Sequence, residues 1–433
     1  MNEGRSQPDM EQRRKVAVIG AGISGLAATL VLIQAQNIDV TLFEAGAEAG
    51  GHAHTVRVNV EGRTVDVDTG FIVYNESNYP HLTAMLTWLN VATSPSEMSF
   101  ALTSGDGAFE WCGQDVRPLS GLFAQKSNLL RPGFWLFLKG ILDLQRVARA
   151  DVAQGRIGDE TLGAYLAARG LSRRVINDYI VPMGAAIWSM TPRDTLDFPA
   201  RSFFAFFENH KLLQRDRPKW RTVTGGSRRY VEACEKKIGN RLKLDCGIRS
   251  VRRNGQGVVL TDIHGISHEF DDVILACHAP TTLALLEDAS NEERRVLSAF
   301  RVSQNKVVLH RDIAQMPKRR AAWAAWNVKR ADDQAPVAVT YWMNRLQPLD
   351  GQTPLFITLN PVLPISPQTI LGEFDYAHPV YDAAAIAAQA QLPGLQGGDH
   401  VYFAGAWTEY GFHEDGLRSG LNAAKALGGV LPW

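Results

Sequence analysis

Short apolar runs closed by glycine alternate with amphipathic stretches along most of the chain. Val16-Ala17-Val18-Ile19 is continuously apolar, which suits a parallel strand covered on both faces. It leads into Gly20-Ala21-Gly22-Ile23-Ser24-Gly25, after which Leu26 to Gln34 has the pattern of a helix. Asp39-Val40-Thr41-Leu42-Phe43 then predicts a second strand, ending at Glu44. Further strands are expected at Leu242 to Val251 and Val258 to Leu260, a strand followed by a turn at Val401 to Gly405, and a helix from Leu417 to Ala424. Between these, 76–219 reads as largely helical. Within 286–394, Lys306 to His310, Val337 to Trp342 and Leu355 to Leu359 read as strands.

This order predicts an α/β fold with two interwoven domains. Residues 1–14 are polar and charged, and read as a disordered tail.

The glycines of the first turn have separable tasks. Gly20 permits the tight turn, Gly22 lets the backbone approach a pyrophosphate, and Gly25 lets the helix pack on the strand. The phosphates then face the amides of Ile23, Ser24 and Gly25 at the helix N-terminus. Glu44, about 20 residues beyond the glycines, suits a ribose hydroxyl and repels a 2′-phosphate. FAD and NAD share this fingerprint.

The residues that follow separate them. Ala45, Gly50-Gly51-His52 and Asp68-Thr69-Gly70-Phe71 lie beyond the acid, and Phe403-Ala404-Gly405 with Gly416 to Ala424 lies near the far end. Together they resemble the flavin-containing amine oxidase superfamily, which includes phytoene desaturases and protoporphyrinogen oxidases. The resemblance implies FAD as cofactor and a Rossmann-like nucleotide domain of the amine oxidase type assembled from 15–75, 220–285 and 395–433, interleaved with a mixed α+β substrate domain from 76–219 and 286–394. It implies that Gly50, Gly51 and His52 pack beside the pyrophosphate and ribityl chain, with His52 where many members have arginine. It places Thr69, Gly70 and Phe71 at the cofactor, Ile248 to Val251 at adenine, and Gly405, Gly416 and Leu417 near the flavin ring. Thr224-Gly225-Gly226-Ser227 and Asp271 to Pro280 match structural segments of the family, so Cys277 and His278 read as a turn rather than as a catalytic pair.

Asp68 to Asn75, with Trp407, Tyr410, Phe412 and His413, resembles a narrower group: bacterial flavoproteins that desaturate methylated fatty acyl chains on the route to furan fatty acids. That implies a long-chain acyl lipid as substrate, and Tyr74, Asn75, Tyr410 and His413 at the reaction cavity. His413 is a candidate base, because an imidazole titrates near neutrality. Amine oxidation remains a competing reading, with Lys306 as a weak candidate for its lysine. Carotenoid or porphyrin oxidation and a non-catalytic flavin-binding partner also remain open.

Composition narrows the partners. The 45 basic and 45 acidic residues balance, so there is no electrostatic footprint for nucleic acid. Four dispersed cysteines form no ligand cluster, which points to free thiols, no bound metal and a cytoplasmic setting. No apolar run reaches about 18 residues and the N-terminus has no apolar signal core. One local bias stands out. Residues 117–149 carry six basic side chains and one acid between aromatics and leucines, which suits peripheral contact with an anionic membrane at its inner face. An amphipathic helix facing the core is the alternative, and Pro132-Gly133 and Gly140 are expected to interrupt it. Phe203 to Phe207 reads either as core or as the wall of an acyl tunnel.

Overall fold

The computed structural model describes residues 13–113, 118–214, 218–332, 337–349 and 351–433. Most of the expected tail lies outside them, as does Arg117. Arg14 already pairs in the first strand, Arg14–Ile19.

Five parallel strands form the nucleotide sheet, in the order Leu242–Lys243, Ile38–Phe43, Arg14–Ile19, Asp272–Leu275 and Val401–Phe403. Three distant parts of the chain therefore share one sheet. The apolar runs are buried along their length because helices cover the sheet; Val16, Val18, Ile274 and Leu42 are solvent-free. The strand expected from Leu242 to Val251 divides in two. Its start joins the parallel sheet, and Ile248–Arg253 forms an antiparallel sheet with Val258–Asp262 and Ser267–Phe270. Between them the chain turns through Asp245 at φ +51°, a break that continuous β-propensity conceals.

A second, seven-stranded mixed sheet is ordered Ile370–Val380, Arg301–His310, Phe356–Leu359, Ala338–Trp342, Trp326–Arg330, Phe100–Ser104 and Phe109–Gly113. The last two strands belong to the segment read as largely helical. They join the sheet through a parallel pairing of Phe100–Ser104 with Trp326–Arg330, a long-range contact that local pattern does not show. Helix Pro132–Ala153 runs unbroken through Gly140. Pro132 occupies the first turn, where a proline costs nothing. Gly140 admits the side chain of Val175, whose Cγ2 would lie 2.6 Å from an added Cβ. Phe203, Phe204 and Phe207 of helix Ala200–Asn209 are fully buried, so they are core.

The two ends of the chain meet helix on helix. Helix Ile23–Leu32 crosses helix His413–Ala426 with backbone against backbone, and a Cβ at Gly420 would fall 2.1 Å from the carbonyl oxygen of Ser24. Gly420→Ala sets two effects against each other. Alanine favours the helix by about 1 kcal/mol, whereas a clash with fixed backbone costs about 1–3 kcal/mol or more. The clash is expected to win, lowering stability by about 2 kcal/mol in urea unfolding; a stabilised variant would show that the helices do not cross this closely.

Candidate active site

The phosphate end is built first. The first bond within helix Ile23–Leu32 runs from Leu26 N to Gly22 O at 2.9 Å, so the amides of Ile23, Ser24 and Gly25 have no partner inside the helix. Gly22 is the N-cap, with no side-chain cap, and an added Cβ there would meet nothing within 4 Å. The amides thus face open space across a residue without a side chain. Gly51 closes one side, since its added Cβ would lie 3.2 Å from Gly22 Cα, and Gly50 N donates to Ala21 O at 2.8 Å. Glu44 ends its strand beside this turn, accepting from Ala21 N at 2.8 Å and Gly46 N at 2.9 Å. Ala45 is exposed next to it, and Gly247 brings Ile248 alongside, an added Cβ on Gly247 falling 3.1 Å from that of Ala45. Val251 is elsewhere: it is solvent-free and its carbonyl accepts from Glu287 N.

The ring end joins both termini. Phe71 N donates to His52 O at 2.7 Å, and Gly70 permits the approach because its added Cβ would lie 2.2 Å from that oxygen. The Phe71 ring stacks on His413, with centroids 3.8 Å apart and planes at 8°. His413 Nε2 is hydrogen-bonded to Tyr230 Oη at 2.6 Å. Thr69 Oγ1 contacts His54 Nδ1 at 2.9 Å and Tyr376 Oη at 2.7 Å. Strand Ile370–Val380 contributes more of this wall. Tyr376 and His378, two residues apart and therefore on one face, lie 5.3 and 5.4 Å from the His52 ring. His378 Nδ1 is hydrogen-bonded to Ser189 Oγ at 3.0 Å. Phe412 stacks on Phe206 at 4.7 Å and lies 5.4 Å from His210; Tyr410 is 6.3 Å from Phe206.

Burial keeps the imidazoles here uncharged. His52 is pushed down to about 3, chiefly by burial and then by His378 and His278. His413 falls to about 3 through burial and the neighbouring His52, and His378 to about 4 through burial and His278. A histidine so weakly basic, bonded to Tyr230 and stacked on Phe71, is suited to holding position; as a proton acceptor near neutrality it is poor. The helix behind it carries two acids in its first turn, both engaged within the protein. Glu414 accepts from His81 N and Leu82 N, and Asp415 from Phe412 N and Arg418 Nη2. Burial raises both, Asp415 to about 7.

Several residues singled out by resemblance lie away from these walls. Tyr74 is 2% exposed, packed 6.2 Å from Tyr79 in the core under the nucleotide helices. Asn75 is buried, and its Oδ1 accepts from Ser77 Oγ and Asn78 N, so it shapes the turn into the next helix. Leu417 lies two residues beyond the free amides of its helix and is solvent-free. Gly416 packs against Ile23 and Ser24, and Gly405 N donates to Ser419 Oγ at 2.8 Å. Trp407 turns into the core and donates to Cys277 O at 2.9 Å. Cys277 is pushed up to about 12 by burial, as befits a structural thiol. Lys306 Nζ pairs with Glu373 at 3.1 Å on the half-exposed face of its strand. Conversely, pattern reading overlooked Tyr230, Ser189, Tyr376 and His378. The alternation Phe374, Tyr376, His378 is the one signal that marks a strand face there.

A flavin dinucleotide fits this arrangement on two observations. Among the described residues, the space over Gly22 is free of side chains, and buried His52 Nε2 has no hydrogen-bond partner. Residues 23–301 match the model of the flavin-containing amine oxidoreductases. The chain belongs to that family. FAD is its cofactor. A putative flavin-containing monoamine oxidase of Mycobacterium tuberculosis is 26% identical over 351 residues, covering 75% of this chain and 70% of the relative. Two solved structures share the fold across 96% of this oxidoreductase. One is a conjugated-linoleic-acid-producing fatty acid isomerase from P. acnes, with TM-score 0.67, 16% identity and 99% of that chain covered. The other is cyclohexylamine oxidase from Brevibacterium oxydans, with TM-score 0.69, 17% identity and 98% covered. Among the described residues, no helix is long and apolar enough to cross a membrane and no group of side chains is disposed to hold a metal.

Gly22→Ala places a methyl group where the cofactor's phosphates approach, without touching the protein. The apoprotein is expected to keep its melting temperature while FAD affinity drops at least about tenfold, about 1.4 kcal/mol. Unchanged affinity by fluorescence titration would remove the pyrophosphate from this spot. A second expectation concerns pH. His52 has a depressed folded pKa, so its contribution to stability is present above about 6.5 and is lost as pH falls toward about 3. Between about pH 7 and about pH 5.5, His52→Gln apoprotein should lose about 1 kcal/mol less than the parent in urea unfolding. Equal losses would mean that His52 is charged or solvated when folded.

Proposed function

We propose that this oxidoreductase removes two hydrogens from an apolar acyl chain, most specifically a methyl-branched unsaturated fatty acyl chain, leaving a conjugated diene. The observation that carries the reading is the character of the ring end: Phe412 on Phe206 and His210, beside imidazoles held neutral. Such walls suit an uncharged hydrocarbon and provide no fixed charge to receive an ammonium group. The fold accommodates it, since a fatty acid isomerase shares that fold.

FAD, when bound, supplies the hydride acceptor and is reoxidised by oxygen or another acceptor. The rest is the protein's work. Stacked rings exclude water and hold the acyl chain flat. A hydrogen allylic to the alkene leaves with its electron pair because the remaining cation is delocalised. A proton then leaves a neighbouring carbon, completing the second double bond. A delocalised cation is acidic, so a weak base suffices. His413 is committed to Tyr230. His378 is fixed through Nδ1 to Ser189, and its other nitrogen has no hydrogen-bond partner among the described residues. His378 is the better-placed acceptor.

Amine oxidation is the second reading, favoured by the mycobacterial relative's name. Against it, Lys306 faces solvent and is paired with Glu373.

The deciding experiment is anaerobic. Oxidised holoprotein is mixed with lipid bearing methyl-branched unsaturated acyl chains, with a panel of amines in parallel, and flavin absorbance near about 450 nm is followed. Bleaching with the lipid and a new diene in the extracted fatty acids is the expected result; bleaching with amines alone would move the substrate to that class. Phe412→Ala is expected to lower kcat/KM for the acyl substrate about tenfold, worth about 1.4 kcal/mol, with the flavin spectrum intact. An unaffected rate would take the Phe206–Phe412 stack out of the substrate path.

A further inference from the structure

Five of the eleven large apolar side chains that are most exposed among the described residues fall within fourteen positions: Leu129, Leu130, Trp135, Leu136 and Leu142. Leu130 is 88% exposed and Leu136 69%. They are not frayed. Leu129 and Leu130 sit in the tight turn Lys126–Leu130 that leads into helix Pro132–Ala153, and Trp135 Nε1 donates to Leu129 O at 3.0 Å, tying the indole to that turn. The opposite face of the helix is firmly packed, with Phe134, Phe137, Ile141 and Leu144 buried. The helix is therefore amphipathic in the inverted sense: one apolar stripe belongs to the core, and a second, at its N-terminal end, is presented outward on a rigid mount.

Charge complementarity decides what covers it. From 118 to 149 there are five basic residues and one acid. Lys126, Arg131, Lys139, Arg146 and Arg149 are all exposed. Asp143 is already paired with Lys139 at 2.5 Å and Arg146 at 3.3 Å. Beside the helix a groove of about 630 Å³ is lined by Leu136, Phe137 and Leu144 and by Arg146, Arg169 and Arg174, the last two paired with Asp151 and Asp178. A second copy of this chain would bring its own cations against these. An anionic bilayer meets both demands, taking leucines and the indole at the acyl boundary while lysine and arginine stems reach the phosphates.

We propose that residues 126–142 dock this oxidoreductase onto the surface of an anionic lipid bilayer. The position suits an enzyme of apolar substrates. Helix Pro132–Ala153 also packs on helix Ala200–Asn209, whose Phe206 stacks on Phe412 at the ring end. Docking is independent of which substrate is oxidised, and its failure would leave the acyl reading standing.

The test uses the full-length holoprotein in cosedimentation with vesicles of phosphatidylcholine alone or mixed with phosphatidylglycerol. Binding is expected to the mixed vesicles, to weaken with added salt, and to fall at least tenfold in L130S/L136S and in K126Q/R131Q. Both variants should keep the bound-flavin spectrum, which separates lost docking from lost folding. Absence of binding to phosphatidylglycerol vesicles would overturn the proposal, as would L130S/L136S binding like the parent. A lipid-free dimer that L130S/L136S converts to monomer would assign the face to a second copy instead.

Discussion

The crossing of the first and last helices is the contact on which the rest of the molecule depends. Gly420 lies against the carbonyl of Ser24, and Gly416 against the Ile23 and Ser24 side chains. With no Cβ between them, the N-terminal turn of helix Ile23–Leu32 and that of helix His413–Ala426 open onto the same region. One turn offers free amides to phosphate. The other delivers Phe412 and His413 to the opposite end of the site. The sheet reinforces this, since strand Val401–Phe403 reaches the first strand only through Asp272–Leu275. A site made this way exists only after residues some four hundred positions apart have packed, so cofactor binding and global folding are linked.

A second buried element ties distant parts of the chain together. Asp68 is solvent-free and accepts from Thr55 Oγ1, Ser227 N and Oγ, and Gln347 Nε2 at 2.5–2.8 Å. Thr55, Ser227 and Gln347 come from three widely separated segments. Burial raises Asp68 to about 6, while its hydrogen bonds pull the other way. The network fixes Thr69, Gly70 and Phe71, which follow directly, and with them the floor under His413. Around that floor the acids present are engaged within the protein. Three imidazoles are neutral, and the two nearby acids point their oxygens at backbone amides and Arg418. An interior of this kind uses its polar groups to hold rings in place.

The phosphate end was legible from sequence because its requirements are local. Gly22, Glu44 and the strands around them follow from backbone sterics and spacing within thirty residues. The fold class followed from the same run together with the far motif. The ring end was far less legible. Tyr230 meets His413, and Tyr376 and His378 meet His52, across separations that no local period encodes. Tyr74, Asn75, Leu417 and Trp407 carry the look of a functional motif but serve packing and turns. Val251 lies past the end of the adenine side because the chain turns at Asp245. Gly140, read as a helix breaker, is instead where another helix comes close. In each case a tertiary contact decided what the local pattern left open.

The central claim is that the two chain ends close on one cofactor. Hydrogen exchange of apoprotein titrated with FAD tests it most directly. The amides of Gly22 to Gly25 and those of Phe412 to Asp415 are expected to gain protection together, at the same FAD concentration. Protection confined to the first set, with the second unchanged at saturating FAD, would contradict the account.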